Sequence, residues 1–229
     1  MIRLAIYYSP EPGSPLSAAA AAWLGRDIQG DEVSRPTVSG LAETRLIELI
    51  RAPFHYAFHG TIKPPFRLAP GVTIEEVAGR VESFAAGWIP FPLPPLKLSY
   101  MHDFFCLRPM DPCPDLHILA ARAVEDFDDF RHPPSVMELA KRRKAALTPL
   151  QEEMLLTWGY PYVMEEFRFH LTLTGKVENE REKEILRREL HERFPEWMLK
   201  DLSFTGLSLF LEKDGKPMLC IGFFPFQLS

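Results

Sequence analysis

The chain has 229 residues, 46% hydrophobic and 25% charged, with a formal net charge of −5 and a pI near 5.8. That length buries a real core in one large domain or two small lobes, and the acidic balance argues against a general polyanion-binding surface. No apolar run approaches the ~20 residues needed to cross a bilayer; Cys106, Cys113 and Cys220 form no Cys-x-x-Cys pair, and the Ala18 to Ala22 tract lacks a basic leader, so a disulfide framework, a zinc knuckle and a signal peptide are not expected and the cytoplasm is.

Ile2 to Tyr8 alternates and reads as a first strand, with Ile2, Leu4 and Ile6 on its apolar face and Arg3 and Tyr7 on the other, where they can line a cleft. Prolines 10, 12 and 15 end it, and a helix follows from Leu16 to Leu24 with Ser17 near its start. Gly25 to Pro36 reads as loop. A helical stripe of Leu46, Leu49 and Ile50 marks Leu41 to Ile50, which Pro53 is expected to stop. Next comes a strand, about Tyr56 to Lys63, ended by Pro64 and Pro65. Thr73 with Glu76 has the spacing of a capping box, opening a helix to about Ala86. Pro90 to Pro95 is a stiff connector, and Leu96 to Tyr100 and Phe104 to Arg108 read as short β segments.

Asp115 to Phe130 has helical periodicity, with Leu116, Leu119, Ala120, Val124 and Phe127 apolar. After His132-Pro133-Pro134, a helix from Val136 to Ala146 carries Lys141-Arg142-Arg143-Lys144, which reads first as a wet face and, as the sharper alternative, as a phosphate contact through Arg142 or Arg143. Thr148-Pro149 opens another helix, which Gly159 closes. Glu166 to Thr174 alternates strictly: Phe167, Phe169, Leu171 and Leu173 on one face, Glu166, Arg168, His170, Thr172 and Thr174 on the other. A charged helix spans Asn179 to Phe194, and Leu202 to Leu211 and Pro217 to Phe226 form a hairpin across Asp214-Gly215.

Two of these strands carry the same pattern. His59-Gly60-Thr61 puts His59, Thr61 and Lys63 on one face, and His170-Leu171-Thr172 puts His170 and Thr172 together with Arg168. One His-x-Thr means little, because chance supplies many. Two, 111 positions apart on alternating strands, suggest a duplicated unit, and the order helix, His-x-Thr strand, helix, two β segments recurs at about 41–108 and 149–226. Histidine can serve as base or acid near neutrality. Two of them across a cleft can divide that work, with Thr61 and Thr172 on non-bridging phosphate oxygens and Lys63 and Arg168 offsetting charge.

These residues resemble the 2H phosphoesterase superfamily, through His59-Gly60-Thr61-Ile62 and His170-Leu171-Thr172-Leu173. Ser14-Pro15-Leu16, Trp23 to Asp27, Phe58 to Leu68 and Gly159 to Gly175 further resemble its branch found in phosphonate-utilisation operons. The resemblance implies an α+β, bilobal duplicated fold: two pseudo-symmetric lobes in one domain over 1–229, each with a mainly antiparallel sheet and flanking helices, and an active site in the cleft between the sheets. It implies a metal-independent, cofactor-free phosphodiesterase acting on a small ribosyl or nucleoside cyclic phosphate, with His59 and His170 catalytic and Thr61, Thr172, Lys63, Arg168 and Tyr7 substrate-binding. Its partner is a small phosphate ester, with neither membrane nor bulk nucleic acid. Gly60 departs from the pattern, which usually has an apolar residue there. Competing readings are a non-catalytic nucleotide or RNA-end binder using the same cleft, and a metallohydrolase; His55, four before His59, is too far from it along a strand to share a metal.

Overall fold

The computed structural model describes residues 1–35 and 37–227; Pro36, the expected end of the loop from Gly25, lies outside them. The first half begins with β1 (Ile2–Tyr8), α1 (Pro15–Leu24), α2 (Glu43–Tyr56), β2 (Gly60–Arg67) and α3 (Ile74–Ala85), followed by β3 (Phe91–Pro92), β4 (Leu96–Met101), β5 (Phe104–Pro109) and α4 (Pro114–Asp126). The second half comprises α5 (Val136–Arg143), α6 (Pro149–Trp158), β6 (Leu171–Thr172), α7 (Glu180–Arg193), β7 (Ser203–Phe204), β8 (Gly206–Lys213) and β9 (Leu219–Pro225). This is a mixed α+β architecture. Its main sheet is open and antiparallel, in the order β4-β5-β6-β2-β1-β8-β9, and β3 and β7 pair separately.

One expectation is corrected here. The two His-x-Thr segments do not sit in separate sheets facing each other; β2 and β6 are adjacent strands of one sheet. Alternation explains how. The apolar faces of both segments bury into the same core, which holds Ile62, Phe66, Phe169, Leu171 and Leu173 with Leu4 and Ile6 of β1 and the apolar stripes of α1, α2, α3, α4 and α7. The opposite face of the sheet carries the polar set beside a smaller buried cluster of Ala5, Tyr7, Ala57, Phe210 and Met218.

Local signals place most helix ends. Thr73, Ser135 and Thr148 each close a capping box, on α3, α5 and α6, and Gly25 and Gly159 terminate α1 and α6 in left-handed conformation. Asp214 and Gly215 have φ of 54° and 73°, the two positive values of a turn that the Lys216 N–H closes on the Lys213 carbonyl at the start of the connection from β8 to β9.

β1 ends at Tyr8, ahead of prolines 10, 12 and 15 as expected, but the proline stops expected at Pro53 and at Pro64 and Pro65 are corrected. Pro53 lies inside α2, which continues to Tyr56. Its missing N–H would have bonded the Leu49 carbonyl, and that carbonyl instead accepts from the N–H of Gly175, whose lack of a side chain permits the approach. Pro64 and Pro65 lie within β2 rather than ending it. They sit where its register against β1 shifts, between Leu4–Phe66 and Ile6–Lys63, and a bulge is where a strand tolerates residues without an N–H. Among the described residues no helix is long and apolar enough to cross a membrane.

Candidate active site

Gly60 pairs with Leu171 across β2 and β6. Extending that antiparallel register by one residue each way sets His59 opposite Thr172 and Thr61 opposite His170, all four on the face away from the core. Directly opposed side chains have Cβ atoms about 4.5–5.5 Å apart, so two imidazoles and two hydroxyls share one small square. The flanking strands complete the floor: Tyr7 of β1 is opposite Thr61, and Cys106 of β5 is opposite Thr172.

The two histidines are held in the same way. His59 Nδ1 is 2.9 Å from the Ala57 carbonyl, and His170 Nδ1 is 2.7 Å from the Arg168 carbonyl, each two residues back along the chain. A carbonyl only accepts, so both rings carry their neutral-state proton on Nδ1 and leave Nε2 for chemistry. His59 Nε2 lies 3.2 Å from the Thr61 hydroxyl, which donates to it. Burial pushes the His59 imidazole down to about 4, against the pull of the Ala57 carbonyl and with the nearby His170 adding to the fall. His170 is likewise lowered by burial, and its ring rests 5.6 Å from that of Phe104. Both are poised as neutral groups until an anion arrives.

The structure sorts the other expected site residues. Tyr7 is buried and stacks on His59, with ring centroids 3.7 Å apart and planes 19° apart; its hydroxyl meets Met218 Sδ at 3.5 Å. It is therefore the wall that orients the His59 ring. Lys63 does not join the square. Its side chain is buried and its ammonium donates to the Val124 carbonyl (2.9 Å) in the last turn of α4, where helix carbonyls lack partners. Arg168 is exposed and folds back on its own chain, donating to the carbonyls of Glu165 and Phe167. The ladder of β6 begins only at Leu171, and a 3₁₀ turn at Met164–Glu166 replaces the expected start of the strand, so strand geometry does not carry Arg168 to the cleft. Thr174 is fully buried and accepts from the Phe105 N–H. His55 lies on α2, not on a strand, and its Nε2 is 3.2 Å from Glu212.

Arg108 was missed. Extending the β5–β6 register by one residue puts it opposite His170, and it is exposed there with its Nε on Ser99 Oγ. The signal was its place in an alternating strand, Phe104, Cys106, Arg108, but nothing in the sequence says that this strand lies beside β6. Among the described residues no three His, Cys, Asp or Glu side chains group as a metal site would require.

Gly60 has a spatial reason. A Cβ there would lie 2.3 Å from the Phe169 ring, so that ring takes the place of the apolar side chain expected on the core side.

Against known families, residues 61–219 match the family described as "Protein of unknown function (DUF1045)". The chain belongs to this family. The match begins two residues after His59 and includes Thr61 and the second motif. Two curated relatives carry the name ribose 1,5-bisphosphate phosphokinase PhnN. The one from Janthinobacterium sp. (strain Marseille) is 37% identical over 77% of this chain, and the one from Laribacter hongkongensis (strain HLHK9) is 29% identical over 77%. The matched stretch is only 39% and 41% of their own lengths, so this DUF1045 chain spans well under half of the relatives it matches. A solved structure of a conserved protein of unknown function from Agrobacterium tumefaciens str. C58 superposes with a TM-score of 0.48 at 12% identity, covering 97% of this chain and 85% of its own.

Proposed function

We propose that this DUF1045 chain is a metal-independent phosphodiesterase that opens a small cyclic phosphodiester, with His59 as base and His170 as acid. One observation carries the reading: two histidines on adjacent strands are each pinned through Nδ1 to the carbonyl two residues back, which frees both Nε2 atoms on one face beside two threonines. A structural histidine needs one such bond; a matched pair with both reactive nitrogens turned the same way has the form of an acid/base couple.

In the proposed reaction, water loses a proton to His59 Nε2 as its oxygen attacks phosphorus. The bond from phosphorus to the leaving oxygen breaks, and His170 Nε2–H gives that oxygen its proton. A cyclic diester and water become an acyclic phosphomonoester, and proton exchange with solvent returns the two rings to their starting states. As the ester enters, the Thr61 hydroxyl turns its one proton from His59 Nε2 to a non-bridging oxygen, which frees that nitrogen; Thr172 donates to the other oxygen, and Arg108 offsets their charge. The more depressed histidine, His59, is the one suited to begin neutral.

The two-lobed, duplicated architecture belongs to the same proposal. About the Gly60–Leu171 pair, β6 answers β2, β5 answers β1 and β4 answers β8 in the sheet order. A role in phosphonate metabolism is supported by the operon resemblance and by the PhnN name of the relatives.

That name also suggests a kinase. It was given to proteins more than twice as long as the matched stretch, and this chain has no Gly-x-x-x-x-Gly-Lys-Ser/Thr loop to cradle nucleotide phosphates. We assign the kinase to the remainder of those longer proteins.

The test is a panel of nucleoside 2′,3′-, ADP-ribose 1″,2″- and ribosyl 1,2-cyclic phosphates, assayed with and without chelator, alongside ATP-dependent phosphorylation of ribose 1,5-bisphosphate. Turnover of a cyclic ester in chelator, falling roughly 10²–10⁴-fold in His170→Ala, is expected. Full activity in that variant, or kinase activity alone, sinks the reading.

A further inference from the structure

We propose that the floor beside the histidine pair continues into a second anion subsite, under α5, which holds a terminal phosphate monoester of the same substrate. The inference rests on the reading of the pair as catalytic and adds the substrate class: a cyclic phosphodiester that bears a second, remote phosphate.

A cavity of about 200 Å³ lies between the sheet and α5, lined by the cations Arg3, Arg67, Arg131, Lys141 and Arg142, with Glu138 as its one carboxylate. Three of the five are matched. Arg67 pairs with Glu138, Arg3 with Glu212 and Arg131 with Asp128. Lys141 and Arg142 have no carboxylate partner among the described residues, so two positive charges stay unbalanced in a chain whose net charge is −5. Arg131 adds a donor in need of an acceptor, because its Nη1 is buried without a hydrogen bond. The Arg142 guanidinium is already oriented, 4.5 Å over the Tyr160 ring, as a planar fork must be to grip phosphate oxygens at little entropic loss. Two unmatched cations and an orphan N–H suit a dianion on a small ligand, which a half-open cleft of this volume admits.

Position connects this cavity to the pair. Arg3 shares a face of β1 with Tyr7, as their unshifted pairing with Glu212 and Ser208 requires, and four residues of strand span ~13 Å. Tyr56 also lines the cavity, and its ring centroid is 6.4 Å from that of His59. A phosphate held by arginine side chains there lies on the order of 10 Å from the scissile phosphorus.

The experiment compares kcat/KM for a nucleoside 2′,3′-cyclic phosphate with and without a 5′-phosphate. The native chain is expected to favour the 5′-phosphorylated substrate by roughly 10-fold or more. In Lys141→Gln/Arg142→Gln that ratio collapses toward one, and in Arg187→Gln, outside the cavity lining, it persists. No preference in the native chain, or a preference that survives the double substitution, overturns the subsite and leaves the diesterase reading intact. Calorimetric binding of ribose 5-phosphate separates the two in the other direction. Saturable binding lost in the double variant supports the subsite even if no cyclic ester turns over. Absence of binding overturns it, and equal binding of a 5-carboxylate analogue overturns the assignment to phosphate.

Discussion

At the scale of single residues, the site is governed by where each imidazole keeps its proton. Both histidines are held below their ordinary value, His59 at about 4. Catalysis as proposed needs His59 neutral and His170 protonated, so kcat/KM, which reports the free enzyme, rises through about pH 4 and falls again before pH 7. A plateau across pH 7 to 9 contradicts that assignment. The same depression acts on folding. The unfolded chain binds more protons than the folded one between these values, so stability is complete above about pH 6.5 and is lost as pH drops toward 4, which thermal melts at fixed ionic strength read directly. Tyr7 separates orientation from chemistry. Tyr7→Phe removes a hydroxyl whose partner is only a thioether and keeps the stack, so activity stays within about threefold; Tyr7→Ala opens a cavity and costs about 3–5 kcal/mol in urea denaturation. The His and Thr positions were legible because period-two alternation alone sets their face. Lys63 and Arg168 obey the same alternation yet end elsewhere, because a long flexible side chain is aimed by its acceptors, Val124 and the chain's own carbonyls, and these are distant or local facts that alternation does not encode.

At the scale of elements, helix ends written in capping residues were readable, as at Thr73 and Thr148; prolines were readable where they end β1 after Tyr8 and not at Pro53, Pro64 and Pro65. A capping box is complete within four residues. A proline's meaning depends on whether another segment offers a substitute donor, as Gly175 does for Leu49 inside α2, or a bulge, as β1 does for Pro64 and Pro65. Gly60 is the other element-level case, since the space that explains it belongs to Phe169, just ahead of β6 and 109 positions later. Gly60→Ala is expected to destabilise the chain by about 1–3 kcal/mol through overpacking between β2 and β6, and Phe169→Leu in the same chain to recover most of it. If the two effects simply add in urea denaturation, the contact is not the cause.

At the scale of the molecule, the fold class was legible from the mixture of alternating and helical periods, but one sheet was misjudged as two. Repetition of a pattern says that two segments are alike; it does not say whether they pair with each other or with different neighbours. The register at Gly60 and Leu171 answers that, and makes the reactive square the joint property of strands from both halves. β1 makes the same point more strongly. It is hydrogen-bonded on one side to β2 and on the other to β8, whose Lys213 meets Ile2. β8 leaves the ribosome some two hundred residues after β1, so over that stretch of synthesis the nascent chain carries an interior strand of its sheet with one edge unpaired. Folding of the finished sheet is therefore gated by a very long loop closure, and the wait for β8 is when this protein most needs shelter from its neighbours.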